Sequence, residues 1–462
     1  MKRFRTDRGG LVYVLALVLL VVLTSVAVTV VGASGLSIRS SDNYDAVTRA
    51  RLVAESGLAF LVGQIQQINL PYSTSGANFL TNLNTVLGNE LNGTGNLAGQ
   101  TVGVNGSGVD IPRIQTGEGG FSARITWLGG NLARLEVVGQ ARNVSRTLAM
   151  NLELGPKASG VFDYGIASRG KIVIKGNAVF DGMNMPEEAK ILSTKSTPVA
   201  IEAGGSAYIG GDLSVTGEEG DYILISGRGL SIGGTSDINE IVEHHLHLGV
   251  DDPEWPDVDI SPFVPMAVNV LGSSSPGGGT YTNIRIPAGT NPNFSGDTVL
   301  NGVAYVESPN QVKFTGKATI NGIVVTEEDP GQALNDCQID FCGQASAPGV
   351  QGLPDTEEWQ TLKQYVGTVI LAPGFGVSFR GNTNTINGTV AADELSFLGN
   401  SSISGNVTGS ILGLKNLPMT LSGSCLIKVD KLHSSKFPPG FQHPRGLTAV
   451  PDSYAEVVAS AE

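Results

Sequence analysis

The N-terminal part of the chain shows two hydrophobic patterns in succession. Leu11 to Val31 is apolar and uncharged, and a helix of that length spans roughly the 30 Å hydrocarbon core of a bilayer. Beyond it, apolar residues recur mostly at helical steps until Pro71 ends the pattern. The sequence therefore predicts one nearly continuous helix over 11–68, hydrophobic in its first half and amphipathic in its second. The apolar face predicted for the second half comprises Tyr44, Val47, Ala54, Leu58, Leu61, Ile65 and Ile68.

A basic leader precedes the apolar stretch. Residues 1–10 carry four basic side chains and one acidic side chain, and they end in Gly9-Gly10. The positive-inside rule then predicts a short cytoplasmic N-terminus, a single membrane crossing and an exported C-terminal region. A removable secretory signal peptide is the alternative. Against it, the apolar run is longer than the usual ~7–15 residues and no small-residue cleavage region closes it cleanly.

A small β unit is predicted after the helix, in residues 69–156. Its first part is rich in Asn, Gly, Ser and Thr, which indicates a linker with one short helix within 78–91. Apolar and polar residues then alternate on both sides of Gly129-Gly130-Asn131, which is typical of a β-hairpin. A third strand extends the hairpin to an antiparallel meander. The predicted strands are Phe121–Leu128, Leu132–Ala141 and Arg146–Leu154.

A glycine-containing repeat dominates residues 157–432. Each copy has an apolar residue two positions before a glycine and a second such pair six positions further on, and neighbouring copies start about 20 residues apart. Such spacing suits the turns of a β-solenoid, whose stacked rungs share one core. We therefore expect a mainly β fold with a parallel β-helix-like solenoid; a glycine-rich antiparallel β-sandwich is the alternative. The copies are Ile174–Gly182, Phe294–Gly302, Phe314–Gly322, Phe397–Gly405 and, with one extra residue, Phe379–Gly388.

Composition adds an acidic balance to this picture. The formal net charge is −13, and acidic residues concentrate in two stretches that lack Lys and Arg, near 229–283 and 327–362, which we interpret as acidic insertions in the solenoid. Such loops can bind calcium or a basic partner, but neither has regular calcium-loop spacing, so solvated loops are the simpler interpretation and no cofactor is expected. The negative charge argues against nucleic-acid binding. Residues 433–462 are predicted to be a C-terminal tail.

One compact cluster has metal-ligand character. If residues 239–246 are helical, some of its side chains share a face and two or three of them could converge on zinc. There is no zincin sequence and no evident fourth ligand, so a polar surface tract is the competing interpretation. The cluster comprises Glu240, Glu243, His244, His245 and His247.

The three cysteines suggest one disulfide. Cys337 and Cys342 lie close together in the second acidic stretch, and an oxidising compartment would let them close a small loop. Cys425 remains, and its apolar neighbours predict burial.

Catalysis is the rival class, because parallel β-helices include polysaccharide lyases and hydrolases. The repeats present mainly Asn, Thr, Ser and Gly, and the charged side chains among them are scattered. The sequence has no phosphate loop, no nucleophile elbow and no Cys/His dyad. We therefore expect no catalytic residues and no enzymatic activity.

The N-terminal region resembles that of PilX-type minor type IV pilins. The likeness rests on the glycine-ended leader, the apolar segment and the motif Arg49–Leu58, and it extends from the leader to the region of Leu70. It implies cleavage by a prepilin peptidase between Gly10 and Leu11, methylation of the new N-terminus, and packing of the helix in a pilus or pseudopilus core. Major pilins commonly carry a glutamate where this chain has Leu15, and its absence would suit a tip or priming position.

Together these features predict a minor pilin or pseudopilin in the inner membrane. It would help to assemble a type IV pilus or related secretion filament and display the solenoid for surface adhesion. The expected partners are membrane lipid, the prepilin peptidase, other pilins or pseudopilins, and a surface carbohydrate or protein ligand. The alternative is a membrane-anchored envelope solenoid that binds carbohydrate or cell wall outside any filament.

Overall fold

The chain, described by a computed structural model over residues 9–117, 119–399 and 406–457, divides into two compact units. The first unit comprises the residues up to Lys157 together with those from Pro444 onward, and the second comprises Ala158–His443. The second unit is therefore an insertion in the sequence of the first. The fold class agrees with the sequence prediction: a long N-terminal helix, an antiparallel β unit and a solenoid of parallel strands.

The first unit begins with one helix, Gly9–Gln67, of 59 residues and about 88 Å. It is the one helix in the described parts of the chain that is long and apolar enough to cross a membrane, and its most apolar 18-residue window is unburied. The Ser and Thr hydroxyls within the apolar half donate to carbonyls one turn back, as Thr24 Oγ1 does to Leu20 O at 2.7 Å. These hydroxyls are therefore satisfied without water, which suits a bilayer.

The second half of the helix packs on the antiparallel sheet. The predicted face is correct from Ala54 onward, but Tyr44 is 76% exposed and Val47 is half-buried. Small residues take their place in the interface because the helix approaches the sheet closely. The buried residues of the helical face and the turn after it are Ala46, Ala50, Val53, Ala54, Leu58, Leu61, Ile65 and Ile68.

The antiparallel sheet contains the three predicted strands and the predicted hairpin turn. Two strands that precede them were not predicted. Neither were two strands from the C-terminal region, where Arg445–Ala449 and Ala455–Val457 both pair with Val144–Pro156. Residues 444–457 therefore belong to the first unit and are not the predicted tail; residues 458–462 lie outside the described residues. The elements of this unit after the long helix are Phe79–Leu91 (helix), Gly95–Leu97 (3₁₀ turn), Gly103–Asn105, Gly108–Thr116, Gly119–Gly129, Leu132–Ala141, Val144–Pro156, Arg445–Ala449 and Ala455–Val457.

The second unit is a solenoid with a ladder of phenylalanines inside it. Five rings on successive rungs stack nearly parallel with centroids 4.8–5.0 Å apart. Four of them begin predicted repeats, which explains the periodicity in the sequence; Asn400–Gly405 of the last repeat lie outside the described residues. The ladder comprises Phe294, Phe314, Phe341, Phe379 and Phe397.

The solenoid consists of two coils that meet in its middle. The first coil, residues 166–247, winds from the middle to one end, and the crossing segment, residues 248–268, leads to the second coil, residues 269–429. The second coil winds back until its last rung stacks in parallel register on the first rung of the first coil, with Ile411 opposite Ile166 and Met419 opposite Ile172. We call this junction the seam. The two coils form one continuous stack of parallel rungs, although the chain enters and leaves it at the middle.

A second hydrophobic layer covers one outer face of the solenoid. The crossing segment contributes Phe263, and the turns after residue 348 contribute Val350, Trp359 and Leu362. Parts of both predicted acidic insertions are therefore integral to the fold, and Cys337–Phe341 is a rung strand. Most of their acidic side chains are exposed, which is why their composition resembled that of loops.

The strands of the second unit are short, and 3₁₀ turns join many of them. The strands are Ile166–Ser168, Ile172–Ile174, Val179–Gly182, Ile191–Ser193, Ile201–Gly204, Tyr208–Ile209, Leu213–Val215, Ile223–Ser226, Ser231–Ile232, Leu246–His247, Asp257–Val258, Asn269–Val270, Gly279–Ile286, Asn293–Phe294, Thr298–Val306, Asn310–Phe314, Ala318–Thr326, Cys337–Phe341, Ala345–Ala347, Thr368–Phe379, Thr383–Ile386, Thr389–Phe397, Ile411–Gly413, Met419–Leu421, Leu426–Val429 and Phe441–Gln442. The helical turns are Gly160–Asp163, Pro186–Ala189, Gly220–Tyr222, Ile238–Glu240, Ile241–His245, Val264–Met266, Leu334–Asp336, Gly349–Gly352, Glu357–Trp359 and Leu362–Gln364.

Candidate functional sites

The motif Arg49–Leu58 lies where the long helix is closest to the sheet. A Cβ added to Gly139, in the strand Leu132–Ala141, would lie 2.4 Å from Ala50 O and 2.3 Å from Ala54 N. A Cβ on Gly57 would lie 2.5 Å from Phe121 Cγ. The small residues of the motif are therefore packing residues that let the helix backbone rest on the strand.

The charged residues of the same motif face outward. Arg49 pairs with Asp45 at 2.9 Å and Arg51 with Glu55 at 3.0 Å, each one helical turn apart and partly exposed. Such solvent-exposed pairs add little to the stability of the helix, because water and salt screen them. The predicted processing residues, Gly10 and Leu11, lie in the first turns of the same helix. The leader residues before Gly9 lie outside the described part of the chain.

A polar groove crosses successive rungs on one outer face of the second coil. It encloses about 370 Å³ and is lined by amide, hydroxyl and charged side chains of both signs. At its centre Asp340 accepts a hydrogen bond from the Ser378 hydroxyl and lies 3.6 Å from Arg380 Nη2. We call it the rung groove; its polar lining residues are Gln311, Lys313, Asn335, Gln338, Asp340, Ser378, Arg380, Glu394 and Ser396.

The predicted histidine cluster is divided in the structure. His245 Nδ1 and His247 Nε2 lie 2.8 Å and 3.1 Å from the two carboxylate oxygens of Asp212, which sequence reasoning did not include. Glu240 instead accepts from Thr235 Oγ1 at 2.7 Å. No group of three His, Cys, Asp or Glu side chains in the described residues is arranged to hold a metal ion, so the predicted metal site, which also included Glu243 and His244, is not assembled.

Local backbone geometry explains why the predicted metal ligands do not converge. Residues 241–245 form a π turn that ends at the strand Leu246–His247, so the regular helical spacing assumed for 239–246 does not exist. Burial opposes ionisation of Asp212, but hydrogen bonds from the two imidazoles outweigh it and hold its pKa below the ordinary value. These two hydrogen bonds hold the turn at the end of the first coil in place.

The predicted disulfide is absent. Cys337 and Cys342 are free thiols. Cys337 begins the strand Cys337–Phe341 and Cys342 lies just beyond its end, so their Cα atoms are about 16 Å apart along an extended chain. A disulfide needs Cα atoms within about 7 Å. Cys337 is buried with its Sγ 3.2 Å from Ser308 Oγ, and Cys342 is exposed. Cys425 is buried as predicted, and burial raises the pKa of its thiol to about 11.

A second pocket lies at a corner of the solenoid, across the seam. It encloses about 240 Å³ and is lined by charged and apolar side chains, among them the buried Asp393. Sequence reasoning missed it because its residues come from distant parts of the chain with no shared motif. We call it the corner pocket; its lining comprises Arg169, Pro256, Asp257, Val258, Glu328, Pro373, Asp393, Leu414 and Lys415.

Comparison with known proteins adds little to these observations. No protein-family profile and no curated protein matches the chain. Among solved structures it is similar to the competence-associated pilin ComZ from Thermus thermophilus, with 11% identity over 89% of this chain and 97% of that one and a TM-score of 0.23. A likeness of this size carries no argument about the fold or function of this chain.

Proposed function

We propose that the chain is a membrane-anchored minor pilin or pseudopilin, a structural subunit of a type IV pilus or related secretion filament. The carrying observation is the single helix Gly9–Gln67, which is unburied along its apolar half and packed on an antiparallel sheet along its second half. One rigid element of this kind can lie in a bilayer before assembly and beside the helices of other pilins afterwards. The expected partners remain membrane lipid, the prepilin peptidase and other pilins or pseudopilins.

The first test concerns the leader. Intact mass and N-terminal sequencing of the protein from membranes should give a chain that starts at Leu11 and carries a methyl group. Gly10→Val should abolish processing, whereas Gly9→Val, one residue earlier, is the matched control and should still be processed. A mature chain that starts at Met1 in the wild type, or equal processing of both variants, contradicts the proposal.

The second test concerns assembly. The protein should copurify with sheared filaments, and gold-labelled antibody against the solenoid should mark filament ends, because Leu15 in place of the common glutamate suits a tip or priming position. Labelling along whole filaments contradicts that position. Recovery in the membrane fraction alone contradicts assembly.

The rung groove favours one alternative. Amides, hydroxyls and charges of both signs on successive rungs suit the hydroxyl groups of a glycan, and an envelope solenoid outside any filament could use them for carbohydrate or cell-wall binding. Under this alternative the protein stays with the membrane after shearing and sediments with purified cell wall. Under the filament proposal the same groove serves surface adhesion, with a carbohydrate or protein as ligand.

A further inference from the structure

The first coil ends in a strand with one open edge. Ile223–Ser226 pairs in parallel with Ile201–Gly204 on one side, and no strand in the described parts of the chain pairs with its other side. The Ser226 carbonyl accepts a hydrogen bond from the neighbouring rung, and alternate residues of a parallel strand bond to the same neighbour. Ile223 and Ile225 therefore turn their N–H and C=O groups towards the open edge.

An apolar pocket lies beside this edge. It encloses about 200 Å³ between the edge strand, the turn of residues 238–245 and the chain that follows that turn. Ile238, Val242 and Leu248 in its lining are 51%, 54% and 39% exposed. Grouped exposure of large apolar side chains is typical of an interaction surface. The apolar lining comprises Ile223, Ile225, Ile238, Val242, Leu246 and Leu248.

Two inward-facing columns of the solenoid core end at the edge strand. One further strand in parallel register would extend both columns and place two apolar side chains, two positions apart, at the open end of the core. The edge thus specifies an apolar residue at every second position of an added strand. The columns are Ile172, Ile201 and Ile223, and Ile174, Ala203 and Ile225.

The surroundings of the edge are acidic. Six exposed carboxylates lie in the turns next to it, and Arg228 is the one Lys or Arg residue in the sequence from 217 to 254. Like charges would repel a second copy of this chain, whereas a segment with Lys or Arg beside its apolar residues would be attracted. The carboxylates are those of Glu218, Glu219, Asp221, Asp237, Glu240 and Glu243.

The solenoid itself contains a strand of this chemistry. Ile172–Ile174 is flanked by Lys171 and Lys175 and pairs in parallel with Ile201–Gly204. Both ammonium groups lie 2.6 Å from carboxylate oxygens of Glu202 on that neighbouring strand. Two isoleucines, one residue apart and flanked by lysines, are therefore a pattern that the rungs of this solenoid accommodate beside an acidic group.

We propose that the open end of the first coil binds an extended segment of a partner protein by strand addition, and that this segment carries alternate apolar residues flanked by Lys or Arg. Its backbone pairs in parallel with Ile223–Ser226 through the free groups of Ile223 and Ile225, its inward side chains contact the apolar pocket, and its cations meet the surrounding carboxylates. The inference concerns a different surface from the rung groove and does not depend on filament assembly.

The test is a calorimetric titration of the full-length protein in detergent with a synthetic peptide of residues 168–177, which contains Lys-Ile-Val-Ile-Lys. We expect a dissociation constant of about 1 mM or tighter. A peptide with Lys171→Glu and Lys175→Glu should bind at least tenfold more weakly. N-methylation of Val173 in the peptide should weaken binding equally, because its N–H faces the edge in a parallel pair. N-methylation of Ile172, whose N–H faces away, is the matched control and should leave binding unchanged.

Variants of the protein locate the site. Val242→Lys places a cation in the pocket and should weaken binding at least tenfold. Its matched control is Val270→Lys, because Val270 is 68% exposed in the strand at the opposite end of the stack. That variant should bind as the wild type does.

A second pair of variants tests the charges and remains informative if Val242→Lys fails to fold. Asp221→Asn with Glu243→Gln should weaken binding about fivefold at low salt, since it removes two of the surrounding charges. Glu357→Gln with Glu358→Gln removes two exposed charges from the turn that ends at Trp359, in the hydrophobic layer of the second coil. This control should bind as the wild type does.

Five results would overturn the proposal. Three concern the peptide: no binding at about 5 mM, equal binding of the glutamate peptide, or a loss caused by the methyl group on Ile172 and not by that on Val173. The fourth is an equal loss in Val242→Lys and Val270→Lys. The fifth is self-association of the protein that Val242→Lys abolishes, which would assign the edge to a second copy.

Discussion

The contact between Gly139 and the long helix leads to the sharpest prediction about the first unit. In Gly139→Val the new Cβ would meet three helix backbone atoms, Ala54 N at 2.3 Å, Ala50 O at 2.4 Å and Ala54 Cα at 2.8 Å. Backbone atoms cannot rotate away as side chains do, and normal separations are about 3.5 Å, so the helix must move by about 1 Å. Overpacking of this kind costs typically 1–3 kcal/mol, and we expect about 3 kcal/mol here.

Hydrogen exchange measured by mass spectrometry on the full-length protein is the suitable assay, because it reports each unit separately. A loss of about 3 kcal/mol should speed exchange about 100-fold in peptides that cover 46–61 and 132–141. Peptides from the phenylalanine ladder should be unchanged. In a unit of this size the same loss lowers the melting temperature by about 6–12 °C.

The matched control is Gly155→Ala in the neighbouring strand, where an added Cβ meets nothing within 4 Å. It should leave exchange and melting unaltered. Two results would refute this reasoning: hydrogen exchange in Gly139→Val like that of the wild type, or equal destabilisation by Gly155→Ala. Either result would mean that the small residues of the motif are not there to allow the close contact between helix and strand.

Three further predictions concern the second unit. Phe341→Ala, in the middle of the ladder, should cost about 3–5 kcal/mol by chemical denaturation, whereas Phe437→Ala, at a ring that is 42% exposed, should cost under about 1 kcal/mol; equal costs would contradict the ladder. Iodoacetamide should label Cys342 alone in the native protein, because the other two thiols are buried. An intact mass of the non-reduced protein that is two hydrogens below the expected value would instead support the predicted disulfide. Burial raises the pKa of Asp393 from its ordinary 3.8 to about 6, so the folded protein should lose stability as the pH rises from about 4 to about 6. Asp393→Asn should therefore recover up to roughly 3 kcal/mol of unfolding free energy at pH 7. A difference in unfolding free energy between variant and wild type that does not change with pH would refute this.

Local patterns in the sequence correctly predicted the elements that depend on neighbouring residues, namely the N-terminal helix and the rungs of the solenoid. A long apolar run and a helical period specify the N-terminal helix, and glycine-punctuated repeats specify rungs whose phenylalanines stack. The end of the helical face at Tyr44 was wrong because the sheet selects small residues there. The hydrophobic pattern alone does not show whether the helix contacts the sheet closely, through Ala46 and Ala50, or at a greater distance, through Val47.

The remaining features depend on pairing between distant residues. Arg445–Ala449 is short and buries little besides Leu447, so it resembles a tail until the strand that it pairs with is known. The corner pocket joins Arg169 to Lys415, which no local spacing relates. The histidines and cysteines were misjudged for a simpler reason: a π turn and an extended strand give distances unlike those of the helix and loop that we assumed.

The seam makes the order of synthesis matter. The strands Ile166–Ser168 and Ile172–Ile174 emerge early, but the strands that cover their open edge, Ile411–Gly413 and Met419–Leu421, emerge only after the rest of both coils. Until then the first coil exposes an unpaired parallel edge, which is a template for pairing with any other extended chain. The half-built solenoid is therefore prone to aggregate during that interval, and a fragment that ends before residue 411 should aggregate even though the first coil within it is complete.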